Sequence, residues 1–260
     1  MDPPALLDLL REAVGRCVAN EQLVAVAYSG GLDSSLIAAL ASDKARVSCY
    51  CTVTAESADA RNIQAYADSD GCELVSLLVA EDELRPIMSR TAKAIQSSDP
   101  VKIAYSIPLL VVVERCAQKM VLAGNGADEL FAGYEKYRTR VQNAGEKMAE
   151  DLAKALEEAE RIAIYANSLG KVVRFPYLEN DVIAEGQAVP FEQKISGDIR
   201  KAILRDAARS LGLRAAERPK KAAQYSSGVL RMMQTLARNN NENLTEWTRD
   251  TVSGLHLDKD

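Results

Sequence analysis

Two spacings of apolar residues trade places along the first half of the chain. Leu6, Leu7, Leu9, Leu10, Val14 and Val18 recur at helical intervals after Pro3-Pro4, which predicts an N-terminal helix. Leu23–Ala27 is an unbroken apolar run of strand length, and Leu36, Ile37 and Leu40 restore the helical interval over 34–42. The exchange then repeats, with strands over 46–53 and Glu73–Val79 around a helix over 58–68. Helices over 81–96 and 103–117 precede a short buried strand over 120–123. This alternation predicts an α/β fold, a parallel sheet with helices on both faces. Sheets of that kind bind ligands beyond the carboxyl ends of their strands.

After Tyr137 the strand signal fades. Residues 145–167 are rich in Ala, Glu and Lys at helical spacing, and Arg174-Phe175-Pro176-Tyr177 interrupts them. Helical patterns return over 199–211 and 229–237, and the polar run Arg238-Asn239-Asn240-Asn241-Glu242-Asn243 reads as a turn or linker. The expected organisation is a helix over 1–20, one α/β domain over 21–238 with a helical C-terminal half, and a tail over 239–260.

Composition narrows the function. With 47% hydrophobic and 27% charged residues, 260 residues suffice for a soluble domain with a sizeable core. No apolar run approaches a membrane span, and Met1-Asp2-Pro3-Pro4 lacks the basic start of a secretion signal. A cytoplasmic location without a membrane partner is therefore expected. The net charge of −5 argues against a nucleic-acid partner, whose phosphates call for a basic surface. Cys17, Cys49, Cys51, Cys72 and Cys116 show no zinc-finger spacing, and Cys49 and Cys51 share one face of a strand as buried thiols. A single histidine, His256, leaves triad and histidine–zinc chemistry dependent on the chain's last residues.

The chemistry concentrates where strand runs end. Leu23–Ala27 leads into Tyr28-Ser29-Gly30-Gly31-Leu32-Asp33-Ser34-Ser35 and then into a helix. Two glycines let the backbone turn its N–H groups inward, and the helix adds its positive end. The hydroxyls of Ser29, Ser34 and Ser35 suit phosphate oxygens, and Asp33 suits Mg²⁺. No Gly-Lys-Ser/Thr closes the loop, so it is not the Walker arrangement. These residues resemble the PP-loop of the ATP pyrophosphatase superfamily (the adenine nucleotide alpha hydrolase-like fold), whose members split ATP into AMP and pyrophosphate.

Three further segments follow in order. Gly124-Asn125-Gly126-Ala127-Asp128-Glu129-Leu130-Phe131-Ala132-Gly133-Tyr134 also leaves a strand and enters a helix, so Asp33 and Asp128 could clamp one Mg²⁺ from two loops. Arg174-Phe175-Pro176-Tyr177-Leu178-Glu179 reads as a structural break. Arg218-Pro219-Lys220-Lys221-Ala222-Ala223-Gln224-Tyr225-Ser226-Ser227-Gly228 is a basic loop that could bring a cation to a reacting phosphate.

Together the four segments, over roughly residues 20–235, resemble the synthetase domain of the asparagine synthetase family. That resemblance implies ATP and Mg²⁺ as cofactors, adenylation of a side-chain carboxylate, and displacement of AMP by an amine. By it, Ser29, Gly30, Gly31, Asp33, Ser34, Ser35, Gly124, Asn125 and Gly126 line the phosphate site, and Asp33 and Asp128 hold Mg²⁺. Val53 would offer backbone groups to adenine, and Tyr134 would stand near the acyl-adenylate. Lys221 or Lys220 would stabilise the adenylation transition state.

The chain departs from the family in several places. Asn125 stands where a typical member has Glu, the basic loop is one residue longer, and no Asp-Arg stretch precedes Arg174. Asp2 follows Met1 where glutamine-dependent members place the glutaminase cysteine, so the expectation is ammonia from solution or a separate glutaminase subunit, or another amine as the nucleophile. The resulting expectation is an AMP-forming amide ligase acting on small molecules, with aspartate and ammonia leading. A PP-loop RNA-modifying ligase and a non-catalytic nucleotide-binding subunit are the alternatives.

Overall fold

The structure is a computed structural model that describes residues 1–55, 57, 60–139, 143–218 and 227–253. It opens with helix α1 (Pro3–Val18), whose first turn is capped by Asp2 accepting from the Ala5 N–H at 2.9 Å. Strand β1 (Leu23–Ala27) feeds α2 (Leu32–Ser42), and β2 (Arg46–Thr54), α3 (Ala60–Asp70) and β3 (Glu73–Val79) follow. Next come α4 (Glu81–Ile95), α5 (Pro100–Arg115), β4 (Met120–Leu122) and the short α6 (Ala127–Leu130) and α7 (Glu135–Thr139). The long α8 (Ala144–Ser168) leads to β5 (Val172–Arg174) and a 3-10 turn at Pro176–Leu178. Beyond α9 (Asn180–Ala188) and α10 (Phe191–Lys194), β6 (Ile195–Ser196) and β7 (Ile199–Arg200) form a hairpin. The described chain closes with α11 (Ala202–Ser210), a 3-10 turn at Arg214–Glu217, α12 (Val229–Asn239) and α13 (Leu244–Ser253).

Five strands make one all-parallel sheet in the order β3-β2-β1-β4-β5. Each central strand is apolar on both sides and divides its residues between two cores by simple alternation. Val24 and Val26 of β1, with Cys49 and Cys51 of β2, pack under α1, α2, α9 and α11. Ala25, Tyr50 and Val121 face the other way, against α4, α5, α8 and α12. The parallel sheet with helices on both faces is thus present. No helix among the described residues is long and apolar enough to cross a membrane.

The strand order locates the site. Successive strands run outward from β1 to β3 in one direction, whereas β4 and β5 lie on β1's other side. The order therefore reverses at β1 and β4, and a crevice opens beyond their carboxyl ends. The two glycine-containing loops are the continuations of those two strands.

Three elements differ from the sequence reading. Val172–Arg174 is a fifth strand, hydrogen-bonded to β4, although three residues carry no period of their own. Ile199 and Arg200, expected at the start of a helix, pair with Ile195 and Ser196 because Gly197 turns the chain at φ +59°. Part of the expected tail is α13, whose Trp247 is buried against the α4 side with the Arg85 guanidinium 4.9 Å from its ring.

Candidate active site

The loop after β1 is shaped by its own side chains. Tyr28 extends the ladder, its N–H donating to Tyr50 at 2.8 Å, and Gly30 then turns at φ +72°. Gly31 caps α2. Ser34 Oγ lies 3.2 Å from the Ser29 N–H, the Ser29 hydroxyl and the Gly31 carbonyl, so a serine plugs a ring of backbone groups. Ser35 differs from expectation: its hydroxyl is fully buried beneath the loop, 3.5 Å from Tyr28 and 3.4 Å from Arg218, so it faces the core.

The loop after β4 is shaped by close approach. A Cβ on Gly124 would stand 3.1 Å from the Cβ of Asp33, so glycine lets the two loops touch. Gly126 turns at φ +95° over Leu178, and Tyr177 lies beneath, its hydroxyl donating to the Asp33 carbonyl at 3.3 Å. The segment around Arg174-Phe175-Pro176-Tyr177 is thus the floor of the crevice. Asn125 reaches the Tyr105 hydroxyl at 3.4 Å. Tyr134 donates to Glu129 Oε1 at 2.7 Å.

One cation ties the loops together, and the sequence reading missed it. Lys201 Nζ lies 2.7 Å from both Asp33 oxygens and 2.5 Å from Asp128 Oδ1. It caps α11 in the left-handed region at φ +56° and is 3% exposed. Burial pulls the ammonium's pKa down, but the Asp128 and Asp33 carboxylates outweigh that and hold it above its ordinary value. Burial, then the Asp128 charge, raises the Glu129 carboxyl. Burial likewise raises the Tyr134 and Tyr105 phenols, helped by nearby carboxylates. A visible signal for Lys201 did exist: Arg200-Lys201 puts two cations at a helix start, against the dipole.

Asp33 and Asp128 thus converge on one point, as the two-loop reading requires. Among the described residues no cluster of three or more metal-ligating side chains occurs. Two hard carboxylates are nonetheless a fitting protein share for Mg²⁺, which keeps waters and phosphate oxygens as its remaining ligands. Lys201 now places a positive charge between them.

One expected position falls elsewhere, and two others lie outside the described residues. Val53 lies within β2 and in register with Leu78 of β3. Tyr50 turns its carbonyl to β1 and Thr54 its N–H to Ser227, so strand alternation directs the Val53 backbone to β3. Thr52 and Thr54, not Val53, present backbone towards the crevice side. Lys220 and Lys221 lie outside the described residues. Their flanks do not: Arg218 donates to the Gly30 carbonyl at 3.0 Å, and the Ser227 carbonyl accepts from the Thr54 N–H at 3.1 Å.

Comparison with known proteins gives this geometry a lineage. A Methanocaldococcus jannaschii protein named "Putative asparagine synthetase (glutamine-hydrolyzing) 1" is 30% identical over 271 aligned positions, 88% of this chain and 50% of its own length. Asparagine synthetase (glutamine-hydrolyzing) 3 of Arabidopsis thaliana is 26% identical over 79% of this chain and 39% of its own length. Asparagine synthetase domain-containing protein 1 of Mus musculus is 35% identical over 45% of this chain and 21% of its own length. The chain thus spans half or less of these relatives. The asparagine synthase family model matches residues 5–170 and 165–259, and the chain belongs to that family.

Proposed function

We propose that this chain is an ATP-dependent amide ligase that forms AMP and pyrophosphate. A carboxylate oxygen, in the leading case that of the aspartate side chain, attacks the α-phosphorus of ATP and pyrophosphate leaves. Ammonia or another amine then attacks the acyl carbon and AMP leaves. The observation that carries the reading is the convergence of Asp33 and Asp128, from two loops, on the single Lys201 ammonium. Kinship with asparagine synthetases supports ATP as the nucleotide.

In this reading the backbone of Ser29, Gly30, Gly31, Gly124, Asn125 and Gly126 and the hydroxyls of Ser29 and Ser34 hold the phosphates. Asp33 and Asp128 would hold Mg²⁺, which would supply Lewis-acid stabilisation of the pyrophosphate leaving group. Lys201 balances the paired carboxylates. Lys221 or Lys220 shields the charge that builds at the α-phosphorus. Arg218, two residues before Lys220 in sequence, is anchored to the first loop through the Gly30 carbonyl. Tyr134, with Glu129 behind it, stands at the acceptor side.

The test is Mg²⁺-dependent release of AMP and pyrophosphate from ATP, with and without aspartate and ammonium. Aspartate-stimulated AMP with new asparagine is the expected result. AMP formation that ignores aspartate would move the acceptor to another carboxylate. ATP binding without AMP under any condition would favour the non-catalytic alternative.

A further inference from the structure

Gly30 and Gly31 flank one peptide unit, and that unit has little orientation of its own. Without a Cβ on either side it can rotate almost freely about its flanking bonds, carrying its carbonyl to one face and its N–H to the other. A phosphate cradle needs one of those two orientations. Something outside the loop must therefore choose it.

Arg218 touches that peptide. Its Nη1 donates to the Gly30 carbonyl at 3.0 Å. The guanidinium is itself fixed by Asp70, which accepts from Nη1 at 2.9 Å and Nη2 at 2.7 Å, with Ser69 Oγ 2.7 Å from Nη2. The Asp70 side chain is 1% exposed, and Tyr28 donates to it at 2.7 Å. The Tyr66 ring lies 4.2 Å beneath the guanidinium and also closes on Gly30, where a Cβ would come within 2.8 Å of Tyr66 Cδ2. In a trans peptide the carbonyl and the following N–H point in opposite directions. Drawing the Gly30 oxygen to Arg218 therefore sends the Gly31 N–H the other way, towards Ser29 Oγ at 3.4 Å, inside the cradle.

We propose that Arg218, held by Asp70, is a positioning residue that sets the Gly30–Gly31 peptide with the Gly31 N–H facing the phosphate side. The inference rests on the reading of this loop as a phosphate site. It explains why the position holds arginine. One nitrogen grips Asp70 and the Gly30 carbonyl together while the second completes the fork, a geometry lysine does not reproduce. It also gives Asp70, at the end of a helix outside the sequence motifs, a part in the site.

Arg218→Lys keeps the charge and breaks the fork. With ¹⁵N-glycine label, the nucleotide-free variant is expected to show a displaced or split Gly31 amide resonance, while Gly170 and Gly212 stay in place. Its dissociation constant for inorganic pyrophosphate with Mg²⁺ should rise about tenfold or more, the loss of a charge-assisted hydrogen-bond network. A folded R218K with an unmoved Gly31 resonance and wild-type affinity overturns the proposal. If R218K does not fold, Asp70→Asn keeps the guanidinium, removes its counter-charge, and is judged by the same two readouts. A wild-type Gly31 that ignores pyrophosphate overturns the phosphate reading, and the nucleotide-free spectra still decide whether Arg218 orients the peptide.

Discussion

The loops after β1 and β4 both place glycines between a strand and a helix, yet they use them differently. In the first, Gly30 adopts φ +72° and the product is an oriented backbone, with serines filling the ring. In the second, the glycines allow approach. Gly124 meets Asp33, and a Cβ on Gly133 would strike Asp128 and Lys201. The second loop's product is a set of carboxylates pressed into a partly buried crevice. Similar sequence punctuation thus serves two physical ends, backbone polarity in one loop and side-chain charge in the other.

The sharpest way to break this division is to remove what joins the loops. Lys201→Met would remove the ammonium that Asp33 and Asp128 share. Breaking a buried pair of this kind costs about 3–5 kcal/mol, the largest effect expected here. Because Mg²⁺ no longer competes with an ammonium, it should stabilise K201M more than the wild type. Urea unfolding with and without Mg²⁺ checks both points, and equal Mg²⁺ effects on the two proteins would remove Asp33 and Asp128 as its ligands.

A matched glycine pair sharpens the contrast further. Gly30→Ala puts a side chain in the left-handed region, at about 1–2 kcal/mol before the Tyr66 clash is counted, and should abolish pyrophosphate binding. Gly124→Ala asks the Asp33 Cβ to give by a few tenths of an ångström, so stability should change by less than about 1 kcal/mol. Its expected signature is a higher Mg²⁺ requirement for AMP release. Identical phenotypes for the two would mean the loops share one role.

The two products also differ in how far they were legible. The first loop's chemistry is local, because Ser29, the glycines, Asp33 and Ser34 lie within six residues and their spacing alone implies a cradle. The alternation of strands and helices was legible for the same reason, since each period is read within one element. The pairings of Lys201 and Arg218 were not, because their partners Asp33 and Asp70 lie 168 and 148 residues away. Asp70 sits in Asp68-Ser69-Asp70-Gly71, which reads as an ordinary helix end. Trp247 was opaque too, a single aromatic in a polar stretch whose burial depends on α4. Contacts that close the site across the chain leave no period behind them.

If the second loop works by burial, the cost of burial must appear in its titration. Glu129 is 8% exposed, and burial and then the Asp128 charge raise its pKa against the pull of the Tyr134 hydrogen bond and Lys201. Between the unfolded carboxylate value, about 4.3, and the raised folded value, the native state binds the extra proton. The stabilisation is fully present below that unfolded value and is lost as pH rises through the folded one. Glu129→Gln keeps an acceptor for Tyr134 and has no such proton to lose. Urea midpoints followed from pH 4 to pH 8 should therefore start close together, with the wild type falling away above pH 4.5 and E129Q staying flatter. This is the smallest of the effects expected here. Parallel curves would show that Glu129 ionises as freely in the folded protein as outside it, and the second loop would then deliver its carboxylates without a burial cost.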